Sequence, residues 1–387
     1  MPRSPVLALA ALLGGMMYSP VANGMTQDIS SIERLGEALY FDTSLSKNRS
    51  QSCASCHNPE AGFVDPLPNK AGRAVSIGDD GHSLGDRNAP TAAYARFSPA
   101  FGPSTKPGIL RGGQFHDGRA ASLEEQAGGP PLNPIEMGMP DKASVVARLK
   151  EKPAYVAAFT TLFGPGVFDK PETAYAAMTR AIAAFERTDA FAPFDSKYDR
   201  SLRGEYQLTE QEELGRVLFF SSQFTNCSLC HKLNSQAGSP SETFSNYEFH
   251  NIGVPANTAA RAVNGVKPGT VDTGLTQNPA VKDKRQAGRF KTPTLRNIAV
   301  TGPYMHNGVF TDLRTVVLFY NKYNSLNPER LINPETGKPF APPEVPRNLS
   351  LKELETGPAL DDKRIDALVA FLNTLTDRRY EHLPPKP

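Results

Sequence analysis

Apolar residues recur at helical spacing in several stretches of the chain, and two of these stretches read alike. LGEALYFD (35–42) and LGRVLFFS (214–221) both place apolar side chains three and four positions apart, which predicts a helix in each. Thr209 followed by Glu212 makes a capping box that sets the start of the second helix. Between the two, 143–163 and 172–187 read as helices, with Ala174, Ala177, Ile182 and Ala184 as packing positions. A last helix is predicted near 361–375. Strand signals are few, and 235–289, rich in Gly, Asn and Thr, reads as irregular loop. The pattern describes a mainly α chain whose 34 prolines and 31 glycines sit in long ordered loops.

Each of the two similar helices leads into nearly the same five-residue word, CASCH at 53–57 and CSLCH at 227–231. These words use all 4 cysteines of the chain. Two disulfides would not explain why both pairs share one spacing and one trailing histidine. A zinc finger would bring the pairs close together in the chain, and here they are far apart. Covalent attachment of c-type haem needs this word: two thiols that add to the haem vinyl groups, then a histidine placed to bind the iron. Cys53 and Cys56 are therefore read as anchors of one haem with His57 as its proximal ligand. Cys227, Cys230 and His231 do the same for a second. Helix followed by haem word, written twice, predicts two cytochrome c-like haem domains related by a weak internal repeat, 25–200 and 201–387.

Composition narrows the setting. The 387 residues carry 39% hydrophobic and 21% charged side chains, as soluble globular proteins do. A net charge of +2 gives no electrostatic reason for a nucleic-acid partner. Arg3, the short apolar run 6–17 and the small residues Ala22, Asn23 and Gly24 read as a secretory signal peptide over 1–24. No later run is long and apolar enough to span a bilayer, so no membrane insertion is expected. With c-type haem, export points to the periplasm.

Four further words, GGQFHDGRA (112–120), NPIEMG (133–138), FKTPTLRN (290–297) and TGPYMHNGVF (301–310), are similar to those of the di-haem cytochrome c peroxidase superfamily. LRTVVLFYNKY (313–323) and LVAFLNTLTDRRYE (368–381) look more like the methylamine-utilisation branch of it. That branch completes the tryptophan tryptophylquinone cofactor of methylamine dehydrogenase. The resemblance implies that the His57 haem meets hydrogen peroxide, or oxygen with electrons, and that the precursor of methylamine dehydrogenase is the protein substrate. A small redox protein would be the electron donor if the chain is instead a peroxidase, and six-coordinate irons throughout would make it a plain electron carrier.

The same resemblance assigns residues. Tyr320 stands where the peroxidases place a methionine ligand, which implies an oxygen ligand for the His231 haem, with Met305 as the rival. Gln126, Pro130 and Glu136 match the distal pocket of the first haem: a hydrogen-bond donor, a spacer and a proton carrier. Asn88, Thr301 and Pro303 match a calcium site between the haems, built from hard oxygens. His82 is read as a surface-loop residue. Two departures stand out in a chain with 0 tryptophans. His116 takes the place of the tryptophan between the haems, which argues against fast charge sharing, imidazole being smaller and ionisable. Thr225 takes the place of a tryptophan just before the second haem word, and Tyr206, Phe219, Phe220 or Phe224 would then carry oxidising equivalents outward.

Overall fold

The computed structural model describes residues 29–384 apart from 235 and 237, so the expected signal peptide lies outside the described residues. As the periodicity predicts, the chain is mostly helical. Among the described residues the strands are three antiparallel pairs of two residues each: Gly102–Pro103 with Leu110–Arg111, Phe249–His250 with Phe290–Lys291, and Ile332–Asn333 with Lys338–Pro339.

Two helix crossings organise the core. Helix Ile32–Tyr40 is capped by the Ser31 side chain and lies across helix Pro171–Glu186, which starts on Pro171, where a missing N–H costs nothing. Helix Glu210–Phe220 begins with the expected Thr209–Glu212 capping box and lies across helix Asp362–Asn373. Both crossings are made by a glycine from the shared LG pair. A Cβ on Gly36 would stand 1.9 Å from the Ala181 carbonyl oxygen, and one on Gly215 would stand 1.9 Å from that of Ala367. The first crossing sits in an apolar cluster with Leu35, Leu39, Tyr40, Met178 and Ile182, the second in another with Leu218, Phe219, Leu368 and Phe371.

The stretch 143–163 is two helices, Lys142–Lys150 and Pro153–Phe163. Pro153 holds Lys152 in an extended conformation (φ −108°, ψ 105°), and so the helix must restart. Among its described residues the stretch 235–289 is not all irregular: it holds the strand Phe249–His250, the helical turn Thr258–Arg261 and the tighter turns Leu275–Gln277 and Lys284–Gln286. No helix among the described residues is long and apolar enough to cross a membrane.

Beyond the last helix the chain turns back under both clusters. The Leu375 carbonyl accepts the Asn297 N–H (3.0 Å), and the Tyr380 hydroxyl donates to the Pro59 carbonyl (2.6 Å). Arg296, 0% exposed, grips Asp199 through two nitrogens (2.5 and 2.8 Å) and donates from Nε to the Glu242 carbonyl (2.8 Å).

Candidate active site

Each haem word is one helical turn, Cys53–Cys56 and Cys227–Cys230, closed by a bond from the histidine N–H to the first cysteine carbonyl (2.9 Å in both). His57 Nδ1 lies 3.2 Å from the Phe63 carbonyl oxygen, and His231 Nδ1 lies 3.1 Å from that of Phe244. A carbonyl only accepts, so Nδ1 carries the proton in each ring and the Nε2 lone pair is left for iron. Phe63 and Phe244 both have left-handed backbones (φ 57° and 55°). The carbonyls just before them, of Gly62 and Thr243, take the hydroxyls of Thr91 and Thr294, each at 2.7 Å. The four cysteines are unpaired, and burial pushes the thiols of Cys53, Cys56 and Cys230 up to about 12, so they stay neutral.

A mainly apolar cavity of about 320 Å³ opens beside the second word, lined by Cys227, Cys230, His231, Met305 and Tyr320. Tyr320 stands on helix Leu313–Asn321, capped by Asp312. Its hydroxyl makes no hydrogen bond among the described residues, whereas that of nearby Tyr323 donates to the Ile252 carbonyl (3.0 Å). Burial holds the Tyr320 phenol above its usual range, and the thiols of Cys230 and Cys227 add to this, which puts it close to the haem anchors. Tyr247 and His250 line the same cavity, and among the described residues their Oη and Nε2 atoms are buried without a hydrogen-bond partner, the latter 3.8 Å from Glu248 Oε2. Haem fits this cavity: apolar walls for the ring, orphaned polar atoms for its carboxylates, and a free Nε2 for iron.

Asn88, His116, Phe290, Lys291, Thr301, Pro303 and His306 line the same cavity. His116 Nε2 donates to the Asn88 carbonyl (2.9 Å). Burial and then the Arg87 guanidinium lower its pKa to about 4. The ring is therefore neutral. It is also joined by a second imidazole: His306 stacks on Phe290 (3.5 Å between centroids, 11°) and meets His116 edge-on at 6.5 Å. Arg87 is held by Asp117 and Asp272, 2.7 Å each. The side-chain oxygen of Asn88 and the carbonyl oxygens of Thr301 and Pro303 take no hydrogen bond among the described residues, so three hard donors remain available in one cavity.

At the first word, Gln126 rides on the short helix Leu123–Ala127, capped by Ser122, and Pro130 opens the tight turn Pro130–Leu132. The Glu136 carbonyl accepts the Asp79 N–H (2.7 Å), tying this loop down. Burial raises the pKa of the Glu136 carboxyl, and its charge is among the causes that raise that of Cys56. His82 is exposed, its N–H held by Asp80 (2.8 Å), as a surface-loop residue would be. Thr225 is buried and donates to the Leu218 carbonyl (2.6 Å). Phe219 and Phe224 line the cavity that also holds His231, and Phe224 is 44% exposed. Phe220 lies 5.2 Å from Phe219, and Tyr206 donates its hydroxyl to Glu212 (3.2 Å).

The profile of the family described as "Di-haem cytochrome c peroxidase" matches residues 30–207. The chain is 57% identical to the methylamine utilization protein MauG of Paracoccus denitrificans, over 91% of this chain and 90% of that one. It is 30% identical to the cytochrome c551 peroxidase of Pseudomonas aeruginosa, over 85% and 81%. Among solved structures, the diheme peroxidase BthA of Burkholderia thailandensis superposes with a TM-score of 0.80 at 33% identity, covering 92% of this chain and 88% of that one.

The chain belongs to the di-haem cytochrome c peroxidase family.

As a di-haem family member it carries two haem groups and is a haem-dependent oxidoreductase. Several residues around its haem sites received no role from the sequence. Lys291, Arg296 and His306 lie inside words that carry the family resemblance, and that placement was the available signal. Asp117 and Asp377 also lie inside such words, but their partners Arg87, Asp272 and Tyr94 do not, and the pairings join chain positions far apart.

Proposed function

We propose that this di-haem protein uses hydrogen peroxide, or oxygen with electrons, to oxidise tryptophan residues of the methylamine dehydrogenase precursor and complete its tryptophan tryptophylquinone cofactor. The observation that carries the reading is Tyr320, a phenol without a hydrogen bond in the cavity that also holds His231, in a chain 57% identical to a MauG protein. Bound haem supplies the redox chemistry, splitting peroxide and holding its oxidising equivalents. His57 and His231 bind the irons through Nε2, oriented by their carbonyl partners. Tyr320 would hold the iron of the His231 haem through its phenol oxygen, and an anionic oxygen there would favour the oxidised state.

At the His57 haem, Glu136 takes the proton of incoming peroxide at its carboxylate and returns it to the departing oxygen. Gln126 donates a hydrogen bond to the bound oxidant and Pro130 limits the space above it. Neutral His116, with His306 and Phe290, lies between the haem sites. Asn88, Thr301 and Pro303 would hold a calcium ion there through their oxygens. The two like-built helix crossings, each followed by a haem word, support two cytochrome c-like domains, 25–200 and 201–387, and the expected signal peptide supports a periplasmic location.

A second reading, a peroxidase drawing electrons from a small cytochrome or cupredoxin, is favoured by Met305, a methionine in the same cavity as Tyr320. One experiment separates the two. The purified protein is mixed with peroxide, precursor methylamine dehydrogenase and reduced cytochrome c, and the visible absorbance of the quinone is followed. Quinone growth with slow cytochrome oxidation is expected, and Tyr320→Met should change the haem spectrum and abolish quinone growth. Fast cytochrome oxidation without quinone would establish the peroxidase instead.

A further inference from the structure

Tyr94 is 0% exposed, yet its hydroxyl is fully engaged. It donates to Asp377 Oδ1 at 2.5 Å and accepts the Phe194 N–H at 3.2 Å. The other carboxylate oxygen of Asp377 takes the side-chain amide of Asn297 at 2.8 Å. Tyr94 and Asn297 hold like places in the two halves. Each follows by three residues a threonine, Thr91 or Thr294, that braces the loop next to a haem word, and each has a left-handed backbone (φ 60° and 63°).

The phenol is connected to both proximal histidines by a path that avoids His116. On one side, the Phe63 carbonyl holds His57, the Phe63 ring stacks on Phe191 at 4.2 Å, and the Phe191 carbonyl takes the Tyr94 N–H at 3.0 Å. On the other, the Phe244 carbonyl holds His231, and the Arg296 guanidinium lies 5.2 Å from the Phe244 ring and 5.3 Å from the Tyr94 ring. In a chain with 0 tryptophans, this is a buried phenol with a carboxylate already on its proton.

We propose that Tyr94 is a redox relay between the haem sites, with Asp377 as its proton acceptor. This rests on the peroxide-driven reading above. Tyr94 gives one electron to the peroxide-derived oxidant. Its O–H bond breaks and the proton moves along the existing hydrogen bond to Asp377 Oδ1, leaving a neutral phenoxyl beside a neutral carboxylic acid. One electron from the substrate tryptophan, with return of the proton, restores both. Proton transfer follows because a phenol that has lost an electron is a strong acid, and Asp377 Oδ1 is the base already on its proton. Burial raises the pKa of Asp377, which suits it to take a proton. Burial and the Asp377 charge raise that of Tyr94 far above the usual range, so its proton leaves only when the electron does.

The test is electron paramagnetic resonance of the holoprotein frozen after oxidation, with ring-deuterated tyrosine to identify the radical. One arm uses peroxide. The other uses photo-generated tris(bipyridine)ruthenium(III), which needs no peroxide chemistry. A tyrosyl signal is expected in the native protein, lost in Tyr94→Phe and kept in Tyr175→Phe, whose hydroxyl bonds a carbonyl that cannot take a proton (Gly128, 2.7 Å). Asp377→Asn, which keeps the shape but is a poor base, should lower the yield about tenfold or more. An undiminished signal in Tyr94→Phe, or none in the native protein in the ruthenium arm, overturns the relay. Should Tyr94→Phe misfold, an undiminished signal in Asp377→Asn overturns the proton-acceptor role. A Tyr94 signal with ruthenium but no reaction with peroxide supports the relay and rejects the peroxide-driven reading.

Discussion

Glu136, half-buried, and Glu186, buried, both have raised carboxyl pKa values. For Glu136, burial raises the pKa above its ordinary 4.5, and the ionised form is the one that takes the peroxide proton. The rate of peroxide reaction should therefore fall with acidity at a higher pH than an ordinary carboxylate would dictate. Glu136→Gln should remove that dependence and slow the reaction by roughly 10²–10⁴-fold, read by stopped-flow absorbance. Glu186 is raised from 4.5 to about 8 by burial, next to Cys53 and Tyr40. Between those values the folded chain keeps a proton that the unfolded chain has lost. Stability thus falls as pH rises through this window and levels off above it. Glu186→Gln should be more stable at neutral pH by about 3 kcal/mol and lose most of the slope, as urea melts at several pH values would show.

At the scale of elements, the two crossings leave no room for a side chain. Gly36→Ala or Gly215→Ala forces the helix pair apart, since a Cβ would stand 1.9 Å from a backbone oxygen in either case. Each should cost at least about 1–3 kcal/mol in thermal or urea melts. Gly36→Ala should also disturb the first haem, because the same helix carries Tyr40, whose hydroxyl bonds the His57 carbonyl (2.8 Å). Unchanged melts would mean that the helices can slide and that the glycines are incidental. Both helices were legible from periodicity and the capping box. Their partners were legible as helices too, but not as partners. The break at Pro153 was written in the sequence, because a proline keeps the residue before it extended.

At the scale of the whole molecule, Arg296 binds together distant parts of the chain. It reaches Asp199 and the Glu242 carbonyl, and its guanidinium lies within 5.9 Å of the rings of Tyr94, Phe194, Tyr198 and Phe244. Arg296→Met would strand the Asp199 charge in the interior and should cost about 3–5 kcal/mol in denaturant melts. Pairing it with Asp199→Leu should recover much of that loss, because the stranded charge is then gone. If the double variant were no better than the single one, the damage would lie in packing and not in charge.

The sequence by itself determined the features that are local. Thioether attachment needs two cysteines and a histidine within five residues, so CASCH and CSLCH announce themselves wherever they occur. Helix periodicity and capping act over three or four residues and were equally plain. The roles of Gln126, Glu136 and Tyr320 came from resemblance, since a lone polar residue on a loop or helix carries no local signature. Tertiary structure alone decided the charge of His116, because a histidine's pKa depends on burial and on Arg87, 29 positions away in the chain but close in space. It alone brought Tyr94 to Asp377 across 283 positions, and Arg296 to Asp199 across 97. Contacts of that length are set by how the helices cross and how the last turn folds back, and no periodicity within the chain records them.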